Sequence, residues 1–124
     1  MNVEKNEILL IYNSSLLIDR QAYAYAKSLK NHNLKSIDLK HDRLTETQIM
    51  ELTQKLDIEP QELIDTQSSE YLRYFSNTEL TDNSTLKALK QNPMIMKTPI
   101  AVYSDRAEFV KTPYEFIKKD MVVK

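Results

Sequence analysis

The sequence predicts an α/β fold built on a small mixed four-stranded sheet, in the order β-α-β, several helices, then β-β-α. Three observations predict it. The short apolar run Ile8-Leu9-Leu10-Ile11-Tyr12 reads as a buried strand. A helix-period stretch and then an alternating stretch follow it, which together make a βαβ unit with parallel strands and a right-handed crossover. Near the other end, two short strand-forming runs flank Ser104-Asp105-Arg106, a hairpin, ahead of a last helical pattern.

Taken in order, the first strand covers Glu7 to Tyr12, and Asn13-Ser14-Ser15 is a loop. A helix from Ile18 or Asp19 to Asn31 carries Ala22, Ala26 and Leu29 as its apolar stripe, flanked by Tyr23 and Tyr25. Asn31-His32-Asn33 is its stop, with Asn standing where Gly is usual. Leu34 to Leu39 alternates apolar and polar residues and reads as the second strand. Thr45-Glu46-Thr47-Gln48 matches a capping box, and Ile49, Leu52 and Leu56 continue at helical spacing. Glu59-Pro60 opens a shorter helix to Ile64. Ser68 or Ser69 caps another over Glu70 to Phe75, and Asp82 or Asn83 caps one from Ser84 to Gln91, which Asn92-Pro93 ends. Ile100 to Tyr103 and Ala107 to Val110 are the last strands. Thr112-Pro113 starts a final helix with Tyr114, Ile117 and Met121 on one face. The expectation is one domain over residues 1–124 with a helical insertion over about 45–91, an arrangement that is thioredoxin-like.

Composition narrows the chemistry. The chain has 124 residues with no Gly and no Cys, where average usage predicts roughly nine Gly. Glycine-rich phosphate loops are therefore excluded, as are disulfides, cysteine metal sites and cysteine nucleophiles. A net charge of -1 speaks against broad nucleic-acid binding. The longest apolar run is too short to cross a membrane, and the N-terminal residues lack a secretory pattern, so a cytoplasmic protein is expected.

Four segments resemble the arsenate reductase family, which includes ArsC-type reductases and Spx-type regulators, over about Ile8 to Lys119. Ile11-Tyr12-Asn13 with a loop, Arg20 and an Ala-rich helix resembles that family's active-site loop. Leu44-Thr45, Leu63-Ile64-Asp65-Thr66 with Tyr71, and Asn92-Pro93-Met94-Ile95-Met96-Lys97-Thr98-Pro99-Ile100 resemble its later segments, the last being the most specific. The resemblance implies an anion held at a helix N-terminus beside a cysteine thiolate, nearby arginines, and a cis bond before Pro99.

The chain departs from the family where that chemistry sits. The loop reads Asn13-Ser14-Ser15-Leu16-Leu17-Ile18-Asp19, and the family's Cys falls near Leu16 or Leu17. Asp65 stands where the family has Asn or Arg, and Thr98 replaces the Arg before Pro. Lys97 keeps a cation there, and Lys111 matches the place of a later Arg. Asp19 stabilises the helix start but repels an oxyanion. Thiol-based arsenate reduction by this chain alone is excluded by composition.

The resemblance therefore implies a non-catalytic binding or regulatory module that meets another protein through the former active-site face. Asn13, Ser14 and Ser15 are the candidate polar contacts, Lys97 and Lys111 the cations, and Thr98-Pro99 the shaping element. Two alternatives stay open: an Spx-like regulator that binds a protein of the transcription machinery, and a thiol-independent enzyme that binds an oxyanion or small acid. No cofactor is expected. Ser14 and Ser15 read more readily as loop and helix cap than as nucleophiles. His32 and His41 have no triad partner nearby in sequence. Asp38, His41 and Asp42 match no metal motif, so no metal is expected. Tyr71-Leu72-Arg73-Tyr74-Phe75 is either packing or a protein-binding patch.

Overall fold

The computed structural model describes residues 1–112. The expected last helix, with Tyr114, Ile117 and Met121, lies outside the described residues. Strands β1 (Glu7–Tyr12), β2 (Asn33–Asp38), β3 (Ile100–Val102) and β4 (Ala107–Phe109) form one sheet in the order β2-β1-β3-β4. β1 runs parallel to β2, with Ile8 opposite Leu34 and Tyr12 opposite Asp38. β3 is antiparallel to both β1 and β4. This is the mixed thioredoxin-like sheet that the β-α-β and β-β pattern requires.

The apolar run of β1 is explained by cover on both faces. Ile8 and Leu10 pack with Ala22 and Ala26 of α1 (Leu17–Lys27), together with Ala101, Tyr103 and Val110. Ile11 faces the other way, into a larger cluster with Ile49, Leu52, Leu63, Leu89, Ile95, Ile100 and Val102. That second face is covered by the helices between β2 and β3: α2 (Glu46–Leu56), α3 (Ser69–Tyr74) and α4 (Asp82–Gln91), with 3-10 turns at Pro60–Leu63 and Pro93–Ile95. Small Ala residues let α1 lie close to the sheet, and the branched residues of β1 and β3 fill the opposite side.

The helix ends follow local chemistry. The Thr45 hydroxyl accepts from the Gln48 N–H at 3.1 Å, and the Gln48 side chain accepts from the Thr45 N–H at 2.9 Å, which completes the expected capping box. Pro60 occupies the first position of its turn, as expected. Ser68 caps α3. The cap of α4 is Thr81 rather than Asp82 or Asn83, because its hydroxyl reaches the Ser84 N–H and draws Asp82 into the first turn. Helix α1 ends at Lys27 instead of Asn31. There the Ser28 hydroxyl donates to the Tyr25 carbonyl at 2.6 Å, and the Leu29 N–H turns back to Ala26, closing the last turn early. β2 consequently begins at Asn33, one residue before Leu34, and stops at Asp38. Leu39 lies past the strand yet is buried, its N–H donating to the Tyr12 carbonyl. The hairpin strands are each one residue shorter than expected: Tyr103 belongs to the turn, where its N–H donates to the Arg106 carbonyl, and Val110 at the far end donates to the Pro99 carbonyl beyond the start of β3.

A chain without Gly must still leave its helices. Among the described residues, the one positive φ is 57° at Asp57, the C-cap of α2, in the left-handed conformation that Gly usually supplies. Asp57 is exposed. Replacing Asp57 with Gly is expected to raise stability by about 0.5–1 kcal/mol in urea denaturation. Thr45→Ala should lower it by about 1 kcal/mol through loss of the cap. A destabilised Asp57→Gly variant would show that the Asp57 side chain holds the helix end.

Candidate functional site

β1 ends at Tyr12 and α1 begins at Leu17, so residues 13–16 form the connecting turn at the helix N-terminus. Asn13 organises it. Its side-chain oxygen accepts from the Ser15 N–H at 2.9 Å, and its carbonyl accepts from the Leu16 N–H at 3.0 Å, an Asx turn closed by a β-turn. The Asn13 N–H donates to Asp19 Oδ2 at 2.8 Å. The Ser14 N–H donates to Asp38 Oδ1 at 3.0 Å, and Arg20 Nη1 donates to the Ser14 carbonyl at 2.8 Å. The amides of residues 13–16 are thus all committed to acceptors of the same chain, two of them carboxylates.

Asp19 is the unusual member. It is 1% exposed although it stands in the first turn of α1. Its side chain folds back to the turn, and Leu16, at the N-cap, provides no side-chain cap. Burial pushes the Asp19 carboxyl above the ordinary carboxylate range, opposed by the Thr98 hydroxyl and the Asn13 N–H and assisted by the nearby Asp38 charge. The Thr98 hydroxyl is buried without a partner in strict hydrogen-bond geometry, and it favours the charged form of Asp19. Asp38 shifts the other way. Burial pushes it up, but hydrogen bonds from Ser14 and the Lys40 N–H, with His41 nearby, outweigh this and hold it below the usual range. His41 Nε2 lies 3.8 Å from Asp38 Oδ2. Beside them, the Tyr12 phenol is raised by burial and by Asp38, and its ring stacks on Tyr23 at 4.9 Å.

The side chains of Leu16 and Leu17, near which the resemblance places a Cys, and of Ile18 point outward. Leu16, Leu17 and Ile18 are 46%, 61% and 56% exposed. With Asp19 and Thr98 they line a shallow groove of about 440 Å³. The Thr98-Pro99 bond is cis, as the resemblance implies. Pro99 is buried, and its carbonyl accepts from the Val110 N–H, which brings the start of the Lys111 segment to the same edge.

The candidate residues are therefore only partly gathered. Asn13, Ser14 and Ser15 form the turn, and Thr98 borders the groove. Lys97 does not line it: its ammonium lies 6.0 Å from the centre of the Phe109 ring on β4, and its N–H donates to the Leu63 carbonyl. Lys111 is exposed beyond Val110. Sequence reasoning weighed Asp19 as a charge at the helix start and Asp38 as a poor metal ligand. It missed their shared role as acceptors for the turn. That role depends on where β2 places Asp38 beside Ser14, which sequence spacing does not encode.

A second depression of about 560 Å³ borders the turn at Ser15 and runs along residues 39–43, Glu70 and residues 91–94. Of its charged side chains Lys40, Asp42 and Arg43 are exposed and Glu70 is half-buried, with the exposed His41 beside them. On α3, Tyr71 and Phe75 pack toward the core while Leu72 and Tyr74 are exposed, so the tyrosine segment is half packing and half surface. Among the described residues, no group of His, Asp and Glu is arranged to hold a metal ion, and no helix is long and apolar enough to cross a membrane.

No protein-family model matches the chain, and no curated protein matches it in sequence. Solved structures do. An arsenate reductase from Vibrio cholerae superposes with a TM-score of 0.77 at 15% identity, over 93% of this chain and 98% of that one. A Yersinia pestis protein named as an arsenate reductase gives 0.76 at 18% identity, over 90% and 98%. A Bacteroides fragilis protein named as related to the ArsC family gives 0.74 at 15% identity, over 94% and 98%. The chain has the thioredoxin-like fold of these arsenate reductase proteins, without a cysteine.

The raised Asp19 carboxyl has a signed consequence. Its folded value lies above the unfolded one, so its contribution to stability is full below the ordinary carboxylate range and is lost as pH rises through the folded value. Asp19→Asn keeps an oxygen acceptor and removes the charge. The variant should gain stability relative to the native chain between about pH 4 and about pH 7 in urea denaturation. A native chain that gains on the variant over that interval would contradict the assignment.

Proposed function

We propose that this chain is a divergent, non-catalytic relative of the arsenate reductases that works as a cytoplasmic binding or regulatory module. Its working surface is the turn and groove around Asn13, Ser14, Ser15, Leu16, Leu17, Ile18 and Thr98. One observation carries the reading. The backbone N–H groups of the turn that leads into the helix N-terminus, the end at which the family receives an anion, here serve the chain's own Asp19, Asp38 and Asn13. An incoming oxyanion would have to displace two carboxylates, or settle on the first turn of α1 against the charge of Asp19. Composition already removes the thiol. What the fold offers in exchange is a patch of exposed aliphatic side chains, the kind of surface that partners cover.

This support runs against the alternative of a thiol-independent oxyanion enzyme, since Lys97 is drawn to Phe109 and away from the groove. A regulator that contacts the transcription machinery is one form the module could take. The exposed Leu72 and Tyr74 give it a second surface on α3.

Titration with phosphate, sulfate and arsenate into the low millimolar range is expected to leave the amide resonances of residues 13–20 unmoved, and arsenate supplied with a small thiol should be reduced no faster with this chain than with the thiol alone. Saturable shifts centred on Ser14 to Arg20, or turnover that requires this chain, would overturn the proposal.

A further inference from the structure

The depression of about 560 Å³ beside the turn has two walls of unlike charge. One is the loop that joins β2 to α2, which carries Lys40, Asp42 and Arg43. Two cations and one carboxylate leave that wall with one positive charge in excess. The other wall comes from α3 and residues 91–94, where α3 packs against the 3-10 turn at Pro93–Ile95. Its ionisable group is the half-buried Glu70, so this wall is negative. His41 Nε2 turns back toward Asp38 Oδ2, 3.8 Å away.

Both walls are held in place by the chain itself. Asp38 pins the loop: its side chain accepts the Lys40 N–H at 3.1 Å, and its carbonyl accepts those of His41 and Asp42 at 3.0 and 2.9 Å. Leu39 and Leu44, both buried, anchor the loop at its ends. On the other wall, the Asn92 N–H and side-chain Nδ2 both donate to the Ala88 carbonyl, at 2.8 and 3.2 Å. The Asn92 carbonyl accepts from the Ile95 N–H at 3.1 Å. The side chains of Lys40, Asp42 and Arg43, by contrast, have no hydrogen-bond or ion-pair partner among the described residues. Fixed backbone under unpaired charge is preorganised for a ligand.

The two walls together select the ligand. A simple anion suits the loop and is repelled by Glu70, and a simple cation meets the reverse. A molecule with a carboxylate at one end and an ammonium at the other satisfies both. Arg43 offers a planar fork to the carboxylate and Lys40 a point charge. Glu70 accepts the ammonium on the oxygen that the Ser69 hydroxyl leaves free. Leu39, Pro93 and Met94 add apolar lining for a side chain, and Asn92 adds an amide oxygen for a peptide N–H. A free amino acid carries both charges on one carbon. An extended dipeptide separates them by up to roughly 7 Å, which suits walls on either side of such a depression.

We propose that this depression binds a dipeptide with free termini, its carboxylate at Lys40 and Arg43 and its ammonium at Glu70. The site shares Ser15 alone with the surface assigned above and goes beyond that reading.

The test titrates the full chain with the dipeptide Ala-Leu. Saturable amide shifts are expected at residues 39–43 and 91–94. N-acetyl-Ala-Leu, which lacks the ammonium, and Ala-Leu amide, which lacks the carboxylate, should each bind about fivefold more weakly. Arg43→Gln should shrink the preference for Ala-Leu over its amide and keep the preference over the acetylated form. Glu70→Gln should do the reverse. Both variants change side chains at the surface, and unchanged amide shifts away from the depression show that each is folded. Absence of saturable shifts at these residues would overturn the site. Equal binding of either blocked dipeptide, or tighter binding of phosphate or ethylammonium than of Ala-Leu, would overturn the ligand's paired charges.

Discussion

The hydrogen bond from the Asn13 amide to the buried carboxylate of Asp19 fixes the shape of the site. It ties the first residue after β1 to the first turn of α1. With that tie in place, the Asn13 side chain folds over Ser15, the Ser14 amide turns to Asp38, and Leu16, Leu17 and Ile18 are left facing solvent. A hydrogen bond to a charged group contributes about 1.5–3 kcal/mol when it is well made. Here it is set against the cost of keeping a carboxylate out of water, and the upward displacement of Asp19 shows burial as the larger influence.

The fold explains why this place matters. A βαβ unit puts a helix N-terminus at the C-terminal edge of the sheet, where orphan backbone N–H groups and the helix dipole favour negative charge. The cis Thr98-Pro99 segment faces it from the β3 side. In this chain the negative charge is built in. Asp19 and Asp38 satisfy the Asn13 and Ser14 amides of the turn that leads into that helix end, and they do so from two different elements, α1 and the end of β2.

Most of the architecture was legible in the residues. The order of elements, the parallel first pair and the terminal hairpin follow from the periodicities alone. The capping box at Thr45 and the proline start at Pro60 are written locally and are found where expected. Helix ends were less legible because several small polar residues compete for each. Ser28 reaches Tyr25 before Asn31 is met, and Thr81 caps α4 ahead of Asp82 and Asn83. Among the described residues the missing Gly is visible in one place, Asp57, which adopts a left-handed conformation to leave α2. The site was legible in location and not in wiring. Asn13 to Asp19 marks the loop, but the partnership of Ser14 with Asp38 spans 24 residues and exists only once β1 and β2 pair. Lys97 shows the same limit. A cation beside Pro99 suggests an anion ligand, and the sheet gives it Phe109 instead.

The turn amides are satisfied from within the chain, and under the proposed function this replaces anion capture with a surface for a partner. Hydrogen exchange at the Asn13 and Ser14 amides, with and without phosphate, tests that most directly. Slow exchange at both amides, the same in either condition, is the expected result. Rapid exchange that slows only when phosphate is added would mean that these amides await an external anion, and would contradict the account.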